Sequence, residues 1–426
     1  MLGYRPPRLY WYDSFTYLSV TFHLRPSAGF QPGGFQPSGY PIFLWVLQPL
    51  HSILLVAGIQ HLMGLAIGGM TYALLRRRSV PVWGAIAATI PVLFDASFLR
   101  LEQGILPDAL FIFLVMSAVT VTLWSPSLST WAAVSAGLLL AAATLVRTIG
   151  LPLLVVLVVY VAVGRVGWRP LATLMMTGLL PLAAYACWFR VEEGRFSLAD
   201  GDGVALWART MTFADCSVIK PPATERYLCP NGARQDAAGE YVWDPKSSIN
   251  QAPGGLASNN DTARSFAIHA IAAQPFDYLM DVIHDVSLAF TFPPARHPRR
   301  IQPAFGFARG CAPLPDTPQI SEARRKYDSA IRGQCSVDPY AGFLIDYQYP
   351  AYLPGPLLAV ILFAGAVGAF RRPRSALFPW VVASILLVAP VAILDFDHRY
   401  VLPVIPLACL AAALGIAELA RKSEPS

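Results

Sequence analysis

Charge is scarce in this chain. Only 14% of its 426 residues are Asp, Glu, Lys or Arg, against about 25% in a soluble domain. With 55% hydrophobic residues and a mean hydropathy of +0.48, that shortage excludes an ordinary soluble globular domain. Chemical signatures are missing as well. There is no GxGxxG, Walker motif, nucleophile elbow or DxD-bearing Rossmann domain, which argues against nucleotide-driven chemistry. HExxH and paired-His spacings are absent, so no zinc signature exists. Basic runs interleaved with aromatics are lacking too, which excludes nucleic acid as a partner. The net charge of +6 therefore reports orientation in a membrane. No internal repeat is visible, so an inverted-repeat transporter gets no support.

What is abundant is long apolar sequence. Continuous runs of about 16 to 25 residues mark a polytopic, all-α membrane protein. Spans are expected at roughly 48–75, 80–98, 108–124, 131–146, 149–163, 169–189, 355–370, 376–394 and 400–420. That gives nine helices in two bundles, six spans within 42–189 and three within 351–426. Residues 1–41 read as an external loop with interfacial helices, and 190–350 as an extracytoplasmic mixed domain inserted before the last three spans. Basic clusters set the direction. Arg76–Arg78, Arg165 with Arg169, Arg371, Arg372 and Arg374, and Arg421 with Lys422 all fall on one side if the nine spans alternate. That side is cytoplasmic and holds the C-terminus, in a plasma membrane crossed many times. An external N-terminus must be translocated, yet residues 1–41 contain no signal peptide. The expectation is a further helix ahead of this stretch that the chain as written lacks.

Cysteine divides the same way. Cys187 and Cys409 lie inside apolar spans and read as packing residues. Cys216, Cys229, Cys311 and Cys335 share the one long polar segment, which suggests two disulfides in an oxidising compartment. Proximity favours Cys216–Cys229 and Cys311–Cys335, although spacing alone does not settle pairing.

Because charges at membrane depth or in tight turns are costly, the few present are functional candidates. Asp13 opens Asp13-Ser14-Phe15-Thr16-Tyr17-Leu18 in an aromatic-rich stretch suited to the headgroup layer, and it also reads as a helix cap. Glu102 and Asp108 flank the turn between the second and third spans. Asp108 follows Pro107, where a helix start would suit a carboxylate. Arg147 sits at the apex of two short apolar segments and is suited to a lipid phosphate, or else it snorkels. Asp395-Phe396-Asp397-His398-Arg399-Tyr400 is the densest cluster outside the insert. His398 and Arg399 can contact phosphate there, and Asp397 with Arg399 can also neutralise one another. His61, after Gln60 in the first span, reads as a hydrogen-bonded packing residue. A lone Asp-His-Arg cluster is not a metal site; a divalent metal ion is the one cofactor left open.

Four segments together resemble a family. They are Asp13–Leu18 followed by Gly39-Tyr40-Pro41, then Leu106-Pro107-Asp108-Ala109-Leu110-Phe111, then Leu145-Val146-Arg147-Thr148, and last His398-Arg399-Tyr400-Val401-Leu402-Pro403. Their order is similar to that of the GT-C glycosyltransferases, in the protein-mannosyltransferase-like, phospholipid carrier-dependent branch. The third segment is similar to that family's LTRP turn with Thr148 in place of Pro, and the fourth to its RYLLPLLP end. The resemblance covers the transmembrane parts, about 60% of the chain. It implies transfer of a sugar from a polyprenyl-phosphate carrier to a glycan, lipid or protein acceptor at the bilayer surface. Asp13 would be the general base, with Glu102 or Asp108 assisting as further carboxylates. Arg147, Arg399 and His398 would bind the donor phosphate. The alternatives from the residues alone are a secondary transporter or lipid flippase, or a catalytically inactive paralogue.

Overall fold

The structure is a computed structural model that describes residues 2–10, 13–23, 36–298, 306–371 and 375–423, the last three by backbone alone. Arg372 and Arg374 of the basic clusters lie outside the described residues, as do the side chains of Arg421 and Lys422. The protein is mostly helical. In order, β1 (Tyr4–Arg5) is followed by α1 (Asp13–His23), α2 (Gly39–Leu47), α3 (Ile53–Arg77), α4 (Val82–Phe94), α5 (Ala96–Glu102), α6 (Asp108–Leu123), α7 (Thr130–Val146), α8 (Gly150–Val163) and α9 (Trp168–Glu193). After the polar segment come α19 (Gly355–Arg371), α20 (Leu377–Ile393), a 3-10 turn at His398–Tyr400, and α21 (Val404–Ser423).

Among the described residues three stretches are long and apolar enough to cross a membrane, namely α3, α9 and His398–Ala420. The pair α4 and α5 adds a fourth if it is one span bent by 50°. The bend has a local cause. Asp95 leaves the helical conformation, and its carboxylate accepts from the Ser97 N–H at 2.7 Å, capping α5, and from the Leu353 N–H at 2.8 Å. An expected single span over 80–98 is therefore two helices, because a capping carboxylate restarts the helix. The apolar helices α6, α7, α8, α19 and α20 are shorter, 14 to 17 residues each. Ser52 and Ser129 cap α3 and α7 by accepting from the N–H groups of Leu55 and Ala132. Large apolar side chains point outward from these helices, with Trp83 72%, Trp131 82% and Phe363 72% exposed. In water such a surface would be an aggregation liability; against lipid it is the ordinary outer face.

Inside the bundle small residues set the spacing. Gly368 of α19 lies against Gly415 of α21 so closely that a Cβ on either would collide with the other's backbone. Close approach of this kind replaces the hydrophobic drive that lipid cannot supply.

The segment between α9 and α19 has a core of its own. Here α10 (Asp202–Met211) and α15 (Asn260–Ala273) pack around Trp207 and Phe266, both fully buried. The short helices α11 (Cys216–Ile219), α12 (Ala238–Trp243), α13 (Ser248–Gln251) and α14 (Gly255–Ser258) wrap this core. The Trp207 indole N–H donates to the Leu228 carbonyl at 3.1 Å. Cys216 and Cys229 form a disulfide beside it. Then α16 (Pro275–Ser287) runs along α20, with the Tyr278 hydroxyl donating to the Ala392 carbonyl at 2.9 Å.

Further on, β2 (Cys311–Ala312), α17 (Pro318–Lys326), β3 (Gln334–Ser336) and α18 (Tyr340–Tyr347) return to the chain's beginning. The strand order is β1-β3-β2, antiparallel throughout, with Tyr4 opposite Ser336 and Cys311 opposite Cys335. The second disulfide, Cys311–Cys335, ties β2 to β3. The Tyr327 hydroxyl donates to the Leu44 carbonyl at 3.1 Å, and the Asp328 carboxylate accepts the Ile53 N–H at 2.9 Å, so this region also holds the start of α3.

Replacing Gly368 with Leu should cost about 1–3 kcal/mol or more by overpacking. The check is thermal unfolding in detergent, and an unchanged melting temperature would show that the α19–α21 contact is not tight.

Candidate active site

Four segments far apart in sequence converge on one cluster of charge. The first is the start of α1. Its position is set by Ser14, whose hydroxyl donates to the Ile105 carbonyl at 2.8 Å and accepts the Tyr10 N–H at 2.9 Å. Phe15, Tyr17 and Leu18 bury the inner face of the helix. Asp13 is left at the rim, with its side chain 28% exposed.

The second segment is the start of α6. Asp108 is the first helical residue, and its side chain is only 1% exposed. A carboxylate suits that end of a helix dipole, but burial requires a partner. The third segment supplies one. Arg147 closes α7 with an extended backbone, and its Nη1 lies 2.9 Å from Asp108 Oδ1. Neither Asp108 oxygen has a hydrogen bond of good geometry among the described residues. The contact is therefore an ion pair held by charge, with the N–H not aimed at the oxygen.

The fourth segment is the 3-10 turn before α21. Asp397 caps it, accepting the Arg399 N–H at 3.0 Å. The Arg399 guanidinium places Nη1 2.8 Å from Asp13 Oδ2 and Nε 2.9 Å from Asp397 Oδ2. The Tyr400 ring lies under both guanidinium groups, 5.0 Å from that of Arg147 and 5.4 Å from that of Arg399. Cation–π contact with one ring holds the two cations side by side.

Tyr17 completes the group. It lies one turn after Asp13 on the same face of α1, within the fields of Asp13, Asp108, Arg147 and Arg399. Burial raises its phenol pKa, so the hydroxyl stays protonated and its bond to Gln36 is a neutral one.

The expected site residues divide between this group and its surroundings. Asp13, Asp108, Arg147 and Arg399 come together. Glu102 faces α3 instead, with Oε2 2.7 Å from His61 Nδ1, and among the described residues it forms no ion pair with Arg147 or Arg399. His61 Nε2 meets Gln103 Oε1 at 3.0 Å, and the Gln60 amide donates to the Glu102 and Gly104 carbonyls. The polar pair in the first span thus holds the 102–108 turn in place. His398 turns away from Arg399, with Nε2 2.7 Å from the Ala295 carbonyl. Tyr17 and Tyr400 were not singled out from sequence. The four-residue spacing from Asp13 to Tyr17 was the available signal, while the position of Tyr400 under Arg147 had none.

A second polar cluster bears on the metal question. Asp285, His297 and Asp395 bring ligand-type atoms within 4.8 Å of one another. The donor set is already used, however. Asp395 accepts the N–H groups of Gly239 at 2.9 Å and Phe396 at 2.8 Å, and pairs with His297 Nε2 at 2.8 Å. Asp285 is bonded to the fully buried Arg209, whose Nη2 also lies 2.9 Å from Asp281. A resident guanidinium and directed N–H donors fit a hydrogen-bonded ion network better than a cation site. Burial pulls the His297 pKa down, but the Asp395 hydrogen bond and charge, with Asp285 and Asp236, outweigh it and leave the pKa raised.

Cavities of about 830 and 800 Å³ open beside α16 and beside β1, and neither is lined by Asp13, Arg147 or Arg399. No family model, curated protein or solved structure matches the chain. The charge cluster is thus the ground for a functional reading.

Arg147→Met should destabilise the protein by about 3–5 kcal/mol, because it strands the buried Asp108 carboxylate. Adding Asp108→Asn should restore a large part of that loss in the same unfolding assay. If the double variant is no better than the single, charge pairing is not what Arg147 contributes. For His297 the sign follows from its raised pKa: the stabilisation is full below about pH 6.5, its ordinary value, and is lost as pH rises through the folded pKa. The stability gap between the native protein and His297→Gln should therefore shrink from pH 6 to pH 9. A constant gap would show that His297 does not bind its proton more tightly when folded.

Proposed function

We propose that the chain is an inverting GT-C-type glycosyltransferase of the membrane, using a polyprenyl-phosphate sugar as donor. On this reading all nine apolar helical segments span, counting α4 with α5 as one. The polar segment between α9 and α19 is an inserted domain on the outer face of the plasma membrane, and the C-terminus is cytoplasmic. The observation that carries the reading is the Asp13–Arg399 contact of 2.8 Å, set beside the Asp108–Arg147 pair at the ends of apolar helices. A carboxylate and two guanidinium groups at such an edge match what the transfer needs.

In that reaction the acceptor hydroxyl oxygen attacks the anomeric carbon. Its proton passes to Asp13. The bond from the anomeric carbon to the phosphate oxygen breaks, and its electron pair leaves with the polyprenyl phosphate. No general acid is needed, because a phosphate is a competent leaving group. Its charge must be met, and each guanidinium has five N–H donors, so Arg399 and Arg147 carry more donors for phosphate oxygens than those facing Asp13, Asp397 and Asp108. In a water-poor site such donors stabilise developing charge strongly. Glu102 would act through its hold on the 102–108 turn.

A structural reading has its own support: each guanidinium already faces a carboxylate, and the closed network would simply staple helix ends together. Asp13→Asn separates the two, since the amide keeps the shape and loses the base. Transfer from a labelled polyprenyl-phosphate sugar pool should fall by about 10²–10⁴-fold, with the unfolding temperature little changed. Full activity in Asp13→Asn would exclude Asp13 as the base.

A further inference from the structure

Beside β1 lies a cavity of about 800 Å³ that the charge cluster does not use. Its walls come from the first residues of the chain, from α5, and from the segments 292–296 and 306–312. Among the described residues four arginines line it, Arg8, Arg100, Arg296 and Arg309, and no Asp or Glu does. In a chain with 32 basic residues out of 426, four around one cavity is a strong local excess. Asp338 stands beside Arg309, both lying 3.7 Å from the point where a Cβ on Gly342 would sit, but it does not line the cavity.

The walls are held firmly. Tyr4 stacks on Phe307 with ring centroids 5.1 Å apart, and its hydroxyl donates to the Ala308 carbonyl at 3.0 Å. Gln348 clamps Phe307 from both sides, accepting its N–H at 2.6 Å and donating to its carbonyl at 3.0 Å. The Cys311–Cys335 disulfide and the β1-β3-β2 sheet close one side. Arg100 is buried in the wall and bonded to Tyr10, and its Nη1 reaches within 3.9 Å of the point where a Cβ on Gly306 would sit. Arg8 spreads over the Tyr10 ring at 4.8 Å. Arg296 and Arg309 are exposed at the mouth, as are Phe292, 63% exposed, and Tyr349, 78% exposed.

We propose that this cavity binds a phosphorylated ligand with an organic body. Guanidinium groups around one cavity, with no carboxylate among its described lining residues, focus a positive field, and their planar forks match phosphate oxygens. The volume suits a sugar phosphate or a lipid headgroup, since ligand cavities span about 300–1,000 Å³. The aromatic rings at the mouth offer faces for the ligand's body. The site is independent of the transfer reading, because binding needs no turnover.

Calorimetric titration of the full chain in nonionic detergent tests it, with glucose 1-phosphate as the soluble probe. The same chain in nanodiscs with and without phosphatidylglycerol, followed by thermal unfolding, tests the lipid source. Binding of the soluble probe, or stabilisation by the anionic lipid alone, is expected. Either should weaken at least tenfold, or vanish, in Arg296→Gln/Arg309→Gln, whose exposed positions spare the fold, and in Arg100→Gln. The proposal is overturned if neither probe binds the native chain, or if the Arg296/Arg309 double variant binds as tightly as native.

Discussion

The ion pair between Asp13 and Arg399 joins residues 386 positions apart. It ties the first helix of the chain to the turn that enters the last. Around it, Asp397 holds Arg399 from its own turn, Tyr400 lies under both guanidinium groups, and Arg147 carries the link on to Asp108. Within it the Asp108–Arg147 pair is the buried one, so removing Arg147 leaves a charge in a poorly hydrated setting, which is far more costly than an unmade contact on a wet surface. The network therefore fixes how the ends of α1, α6, α7 and α21 sit relative to one another. The same constraint that orders the helices also concentrates three carboxylates and two cations in one place.

The bundle tolerates this because little else in it is polar. Its helices meet through small residues, as at Gly368 and Gly415, and through short hydrogen-bonded links such as Gln60 to the 102–104 carbonyls. His61 and Glu102 bond to each other at the end of α5, 2.7 Å apart. The polar segment is joined to the bundle by the same device. His297 with Asp395, Tyr278 with Ala392 and Asp328 with Ile53 are directed bonds between its surface and helix ends. Directed bonds give orientation, which apolar contact alone would leave loose.

Sequence alone was enough to place most apolar helices within a few residues, because a bilayer admits few alternatives to a continuous hydrophobic helix. It was also enough to mark Asp13, Asp108, Arg147 and Arg399, since isolated charges in apolar surroundings stand out without any structure. Proximity along the chain favoured both disulfides that form. Only the tertiary structure decided which carboxylate meets which cation. Glu102 and Asp108 are six positions apart, yet one faces His61 and the other Arg147, because α5 ends and α6 begins between them with different faces inward. His398 and Arg399 are neighbours that point to different partners, as a 3-10 turn separates successive side chains by about a third of a turn. The arginine-lined cavity gathers residues 8, 100, 296 and 309, and no local pattern in the sequence could have joined them. Hydropathy is a local property and can be read along the chain; pairing of charges depends on distance in space, and that belongs to the fold.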